Sequence, residues 1–579
     1  MGCVPQSTLP VFLMLLFYGD DAVRPAWCEH GWEQCRHPTR GRWAAPYNEV
    51  TGGLLDAWNQ RALHSGGIQS GYTDGQVMDG YEGYFSESLS HYIYAWNSAT
   101  GDDLWSDNQY SRMMPHRLAY RWHKGNSLGG ARVTQGWYAS LGAYASIDPE
   151  MAGLGRWLVE TSGNNGNYEE MLVFLMGDVE LQPIHPKDIP RMKLGKFLDG
   201  DDLCHSRSSW EPDATLVQMF SRSIDSHRYE PPVGALYIVR NGIEMFTRGN
   251  GRKGSLASCW LANVRIWAKQ FSMPVDEQSD IYWSGSHLRG PHARKPWVDR
   301  YGGPFANATN QSRRGILPTE DHGDDSYHVF TVDSSDFQIE MTTNDWSRNL
   351  QRADVDKSKR TIVHLRPNEN GREFVIVYDR LQVADYLNHC WQARVRWEPE
   401  ITGNKFTVIN DGQQMCGTVL TPGMVVRKDG GHTGTPEQLA AFNATIKAAE
   451  DVLEDKNSTP EQRAAAQQTI DETTAEKVVL FRLNAQPDGT VWPTGPHNVF
   501  SGDSLLGSTD AKKFGAFAIY IEPTEVKPQQ TYCVVLEVGP EGFAPAAAST
   551  SSVIGGEQIV NVDGWQVDFR EEDETKVSR

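Results

Sequence analysis

Five consecutive residues, Ser226-His227-Arg228-Tyr229-Glu230, place an imidazole, a guanidinium, a phenol and a carboxylate in one short polar stretch ahead of Pro231 and Pro232. An imidazole titrates near neutral pH and can take or give a proton, and a guanidinium matches a carboxylate or a sulfate with paired donors. The alternative is a structural histidine in an ordinary polar connection. A second set, rich in Gly and Tyr, runs from Gly66 to Tyr84 and holds Tyr72, Tyr81 and Tyr84 just before a strongly helical pattern. Glycine lets the backbone approach a ligand closely, and a Tyr hydroxyl at a helix entrance can act as acid or base. The same residues also suit an irregular loop whose rings cap a core. A third set, Asp321, His322, Asp324, Asp325, Tyr327 and His328, has the composition of a metal site but lacks the EF-hand spacing, and an exposed acidic turn accounts for it equally. Cys28, His30, Cys35 and His37 fit no common zinc pattern. No metal and no cofactor is therefore assigned; a structural zinc or calcium ion has no support in ligand spacing. No P-loop, dinucleotide fingerprint, GxSxG elbow or HExxH helix occurs.

Two kinds of element must position these groups. From residue 47 to about 180 the pattern is mainly helical. Phe85, Leu89, Tyr92, Ile93 and Trp96 mark one face of an amphipathic helix, and further helices are expected at Arg117–Trp122, Met151–Val159 and Tyr168–Met176. A stretch rich in Pro, Lys and Gly between Pro183 and Asp202 reads as a domain boundary. Strands follow. Ala235–Val239 and Ile243–Thr247 flank Asn241-Gly242, a type I′ hairpin signal. Thr361–Leu365 pairs with Glu373–Leu381 across a turn beginning at Pro367, and Phe514–Ile521, Thr531–Val538 and Gln558–Phe569 continue the pattern, the last with an Asp563-Gly564 turn. Such spacing predicts a large antiparallel sandwich. Pro436–Lys477, rich in Ala, Glu and Gln, reads as a helical hairpin inserted in it.

The chain has 579 residues, enough for several domain-sized units, and a formal net charge of −20. That charge excludes a general nucleic-acid binder, but not an acidic polymer held in a locally basic cleft. Arg248, Arg252 and Lys253 form one local basic cluster. The aromatic content of 10% supplies flat surface for stacking on rings, or simply large cores. The apolar run Leu9–Tyr18 is too short to span a bilayer and lacks the flanks of a signal peptide, so a buried helix is the simplest reading, with a cryptic signal as the alternative, and no membrane partner is expected.

Several of these blocks, in this order, resemble the heparinase II/III-like polysaccharide lyases. The likeness is carried by Asp79-Gly80 with Tyr84 and the helix after it; by Arg207, Trp210, Pro212, Asp213, Ala214 and Thr215, then a strand, the His227 segment, a strand and Asn241-Gly242; by Glu373–Arg380; and by Trp397–Phe406. The resemblance implies a multidomain α+β chain. An incomplete amino-terminal α/α toroid (residues 1–195) would precede a large antiparallel β-sandwich (203–579) carrying the helical insertion at 436–477. It implies β-elimination on an acidic, uronic-acid-containing polysaccharide such as a glycosaminoglycan or alginate, in the periplasm or outside the cell. Tyr84, with Tyr81 as its alternate, takes the acid/base role, and His227 stands where the family places its β-domain histidine, as base or as partner of the substrate carboxylate. Arg228 and Arg252 are substrate-binding candidates by their chemistry, with Tyr229 and Glu230 beside them. A second reading, a non-catalytic polysaccharide-binding protein on a decayed lyase framework, follows from the departures. The family's His-x-His is here His227-Arg228-Tyr229, its downstream His-Asn pair is absent at Cys259–Asn263, and the helical part is short.

Overall fold

The structure, a computed structural model, describes residues 109–124, 126–127, 144–162, 180–198, 203–220, 236–246, 264–268, 281–283, 318–333, 339–341, 350–352, 355–430, 435–480, 517–551 and 558–579, positions 146, 386, 456 and 571–573 excepted. They fall into two units, one of residues 1–214, 221–226 and 291–317, the other of 215–220, 227–290 and 318–579. Antiparallel strands predominate among the described residues.

In the first unit, helix Gln109–Arg121 packs on helix Pro149–Ser162. Met151, Leu154 and Leu158 recur at helical spacing and meet Leu118, Tyr120, Trp122 and Trp157 in one core. Asp148 starts the second helix by accepting from the Met151 amide at 3.1 Å. Gly153 lets the following segment approach: the Ile184 amide donates to its carbonyl at 2.9 Å, and a Cβ at Gly153 would lie 2.4 Å from the Ile184 side chain. The helices expected at Arg117–Trp122 and Met151–Val159 are present, although the first begins earlier than its apolar pattern suggested and stops at Arg121, with Trp122 already extended, while those expected at 85–96 and 168–176 lie outside the described residues.

The second unit is built on an eight-stranded antiparallel sheet in the order Glu320–Gly323, Tyr327–Asp333, Val355–Leu365, Glu373–Val383, Gln529–Pro540, Gln413–Val419, Lys405–Asn410, Glu400–Thr402. Its central strand Glu373–Val383 is buried on both faces, which explains its nearly unbroken apolar run. One face, carrying Val363, Leu365, Phe374, Ile376, Tyr378 and Val535, packs against Val560, Val562, Trp565, Val567 and Phe569 of a four-stranded carboxy-terminal sheet. This is sheet-on-sheet packing, as the sandwich reading requires. The Tyr378 and Phe569 rings lie 4.5 Å apart between centroids. A second four-stranded sheet joins Met424–Gly430, Phe517–Pro523, Leu387–Val395 and Val264–Ala268.

Two-residue turns set the register of three hairpins. Asn241 and Gly242 have φ of 48° and 77°, and Asp563 and Gly564 have 47° and 82°, the paired positive values of a type I′ turn. Asp411-Gly412, not singled out in the sequence, repeats the device at 44° and 77°. The inserted arm is likewise written locally. Its helices, Pro436–Glu454 and Pro460–Leu480, both open on the tetrapeptide Thr-Pro-Glu-Gln. In each, the Thr hydroxyl accepts from the Gln amide while the Gln side chain accepts from the Thr amide, a capping box at Thr435/Gln438 and again at Thr459/Gln462. No described helix is long and apolar enough to cross a membrane.

The sandwich core gives a direct test. Ile376→Ala, at a fully buried site, is expected to cost about 2–5 kcal/mol in urea unfolding. Ile409→Ala, at a side chain 42% exposed, should stay within about 0.5 kcal/mol.

Candidate functional site

Tyr81, Tyr84, His227, Arg228, Tyr229, Glu230 and Arg252 all lie outside the described residues. The structure does describe what flanks the His227 segment. Strand Thr215–Phe220 pairs antiparallel with strand Leu236–Arg240, from Thr215 opposite Arg240 to Met219 opposite Leu236. Residues 221–235 therefore connect two paired strands, leaving from the Met219/Leu236 end.

The opposite end of this strand pair is gripped by one carboxylate. Glu373, fully buried, accepts at Oε2 from the Thr215 hydroxyl (2.6 Å) and from Arg240 NH1 (2.9 Å). At Oε1 it accepts from His364 Nε2, 2.7 Å away. Arg240 NH1 also donates to Thr215 Oγ1 at 3.0 Å, closing the ring. Because a carboxylate only accepts, His364 carries its proton on Nε2. Burial holds the His364 imidazole below its ordinary pKa against the pull of Glu373. Next to it, directly opposite across the sheet, His328 hydrogen-bonds Asp321 through Nε2 at 2.9 Å, and burial lowers its pKa too. Both imidazoles are enclosed, and each ties neighbouring strands together. Sequence reasoning passed over Glu373, His364, Thr215 and Arg240 as functional residues. The available signal was a lone acid and a lone imidazole inside apolar strands, since a buried charge must have partners.

The remaining residues that carry the resemblance also do framework tasks. Arg207 is fully buried and caps the end of helix Gln109–Arg121, donating to the carbonyls of Trp122 (2.5 Å), Ala119 (3.4 Å) and Tyr120 (3.4 Å). Helix-end carbonyls lack intrahelical donors and attract a cation, and the guanidinium is further held against Trp210, 5.0 Å from the ring centroid. Burial pulls its pKa down to about 10, which leaves it charged at neutral pH. Asp379 takes both prongs of Arg360 at 2.6 Å each. Gly403 turns the chain at φ 61°, Asn404 donates to the Val419 carbonyl at 2.7 Å, and the buried Phe406 ring fills the space over Gly417, where a Cβ would come within 2.1 Å of it.

In the first unit His116, Tyr120 and His205 gather near Lys196, Arg191 and Arg121. Burial and these cations drive His116 down to about 3 and His205 well below its ordinary value. The acidic stretch Asp321–His328 is a strand pair and its turn. Asp324 Oδ1 accepts from the Ser326 amide (2.7 Å) and hydroxyl (2.6 Å), Asp321 meets His328, and His322 lies 3.4 Å from Glu574. Among the described residues, no three His, Cys, Asp or Glu side chains converge as a metal ion would need.

No family model matches the chain, and no curated protein is similar to it at a significant level. Among solved structures it is similar to the heparan sulfate lyase HepC from Pedobacter heparinus, at 10% identity and a TM-score of 0.43 over 97% of this chain and 71% of that one. A mutant of the same lyase gives a TM-score of 0.44 at 10% identity over the same shares. A structure of heparinase III gives 0.45 at 9% identity, over 99% of this chain and 73% of that one.

Two outcomes are expected from these networks. Arg207→Met keeps the bulk but removes the helix-end donors, and should cost about 2–3 kcal/mol in urea unfolding, against no more than about 1 kcal/mol for Arg191→Met at a half-exposed ion pair. The buried imidazoles have lowered pKa values, so the unfolded chain binds protons that the folded chain refuses. Their stabilisation is complete above the unfolded value of about 6.5 and is lost as pH falls toward the folded values. The urea midpoint should therefore drop between about pH 7 and about pH 4, and His116→Gln should flatten that slope; a profile unchanged by this variant would remove burial of His116 as a cause.

Proposed function

We propose that this protein is a polysaccharide lyase that cleaves an acidic, uronic-acid-containing chain by β-elimination. The observation that carries the reading is the ordered block from Arg207 through Thr215, the His227 segment and Asn241-Gly242, in which the flanking strands pair in register around the segment holding the imidazole. The architecture implied is an α/α toroid ahead of the β-sandwich, acting on extracellular or periplasmic polysaccharide.

The reaction makes three demands. The C5 carboxylate must be neutralised so that the adjacent C–H becomes acidic; a base must remove that proton; and an acid must protonate the glycosidic oxygen as the C4–O bond breaks and the C4–C5 double bond forms. Tyr84 is the candidate acid/base, with Tyr81 as its alternate, and His227 the candidate base or carboxylate partner. Arg228 and Arg252, with Tyr229 and Glu230, supply groups suited to uronate or sulfate. The steps need neither a redox cofactor nor a nucleotide. The second reading, a protein that binds acidic polysaccharide without cleaving it, is favoured by His227-Arg228-Tyr229 standing in place of a His-x-His.

Incubation with alginate, hyaluronan, chondroitin sulfate, heparan sulfate and ulvan separates the two. A lyase raises ultraviolet absorbance from the new double bond on at least one, and Tyr84→Phe and His227→Ala should each lower kcat/KM by about 10²–10⁴-fold. Absence of product from all five ends the lyase reading, and glycan binding without product selects the alternative.

A further inference from the structure

We propose that the face of the central sheet around Lys359 and Arg380 binds a small free oxyanion of the sulfate or phosphate class, at a site independent of the lyase reading. The two residues are Cα partners on the paired strands Val355–Leu365 and Glu373–Val383. Direct partners project their side chains from the same face, about 5 Å apart at Cβ, and like charges so placed repel. Water does little to screen the repulsion here, because Arg380 is 7% exposed and Lys359 is half-buried. Arg380 donates to neutral acceptors, from NH1 to the Arg570 carbonyl at 2.8 Å and from NH2 to the Thr361 hydroxyl at 3.1 Å. Its guanidinium lies 5.4 Å from the Tyr378 ring centroid, and its buried Nε has no acceptor. Among the described residues, neither Arg380 nor Lys359 forms an ion pair with a carboxylate.

A neighbouring arginine shows what this pair lacks. Arg360, equally buried on the other face of the sheet, meets both oxygens of Asp379. Near Lys359 the carboxylates are engaged elsewhere or stand off. Glu320 accepts from the Thr331 hydroxyl and from the amide and hydroxyl of Thr575. Asp333, the partner of Lys359 on the next strand, makes no ion pair with it. Burial and the Arg380 charge hold the Lys359 ammonium below its ordinary pKa, against the pull of Glu320 and Asp333. A buried cation without a counter-ion is costly, and an anion between the two side chains would remove both the repulsion and much of that cost. An oxyanion gives Arg380 Nε and Lys359 Nζ an oxygen each, in charge-assisted hydrogen bonds. It must be small, since Arg380 is nearly enclosed, and the exposed side of Lys359 is the way in. Once bound, it would steady the Arg380 side chain that joins the two long strands to the chain after strand Trp565–Phe569.

The test titrates sodium sulfate into the full chain by calorimetry, with ionic strength held constant by sodium chloride, and follows the urea midpoint over the same range. A site gives saturable binding at millimolar sulfate and a midpoint that rises and then levels as the site fills. Lys359→Met should weaken binding about ten- to a hundredfold, the loss of one charged hydrogen bond, while Lys359→Arg keeps most of it. Lys428→Met, at an exposed ion pair with Glu398, should leave binding unchanged. Arg380→Met should abolish binding, and Lys359→Met, at the more exposed side chain, decides the matter if the arginine variant does not fold. Sulfate also stabilises proteins by exclusion from their surface, an effect that does not saturate. A midpoint that rises without levelling, and equally in Lys359→Met, overturns the site, as does absence of saturable heat from the unmodified protein. Displacement of bound sulfate by chondroitin sulfate chains would move the site to a glycan and overturn the choice of a free ion.

Discussion

A carboxylate cut off from water must be met by donors on every side, and Glu373 imposes that demand at the middle of the β-region. The donors come from Thr215 and Arg240, far away in the sequence, and from His364 on the neighbouring strand. Removing one partner of a buried charged group costs about 3–5 kcal/mol, more than most single contacts contribute. The strand pair 215–240 is thus tied to the central sheet by an interaction that tolerates little slack. Asp379 with Arg360, on the same face of the same strand, meets the same demand from an immediately adjacent strand.

The parts of the fold that were legible in the sequence are those whose cause is local. Asn241-Gly242 and Asp563-Gly564 announce their turns because only residues at ease with positive φ fit there, and the repeated Thr-Pro-Glu-Gln announces two helix starts because the cap lies within four residues. The Glu373 ring was not legible. Two of its three partners, Thr215 and Arg240, stand 158 and 133 positions away, and no periodicity reports a pairing of that span. Arg207 shows the same limit. It belongs to a block that resembles a known family, but its task, capping a helix that ends at Arg121, appears only once helix and strand are seen together. The strands around the candidate site were legible to within a residue or two, whereas the site residues Tyr84 and His227 stand outside what the structure describes.

Within the described residues, the named positions that carry the resemblance serve the framework. Arg207, Trp210, Thr215, Tyr378, Asp379, Gly403, Asn404 and Phe406 all hold backbone or fill core. A protein that cuts a polysaccharide and one that only holds it would keep such a framework equally.

The inserted arm has a consequence of another kind. Strands Met424–Gly430 and Phe517–Pro523 are direct neighbours, and Gly430 stands opposite Phe517 on the last rung. Everything from 431 to 516 thus leaves and re-enters the sheet through a doorway about 5 Å wide. Once that rung is made, the entropy of joining its ends grows only with the logarithm of the enclosed length. The sheet is accordingly almost indifferent to what hangs from this rung. The arm could be lengthened, shortened or exchanged while the strands below it kept their pairing.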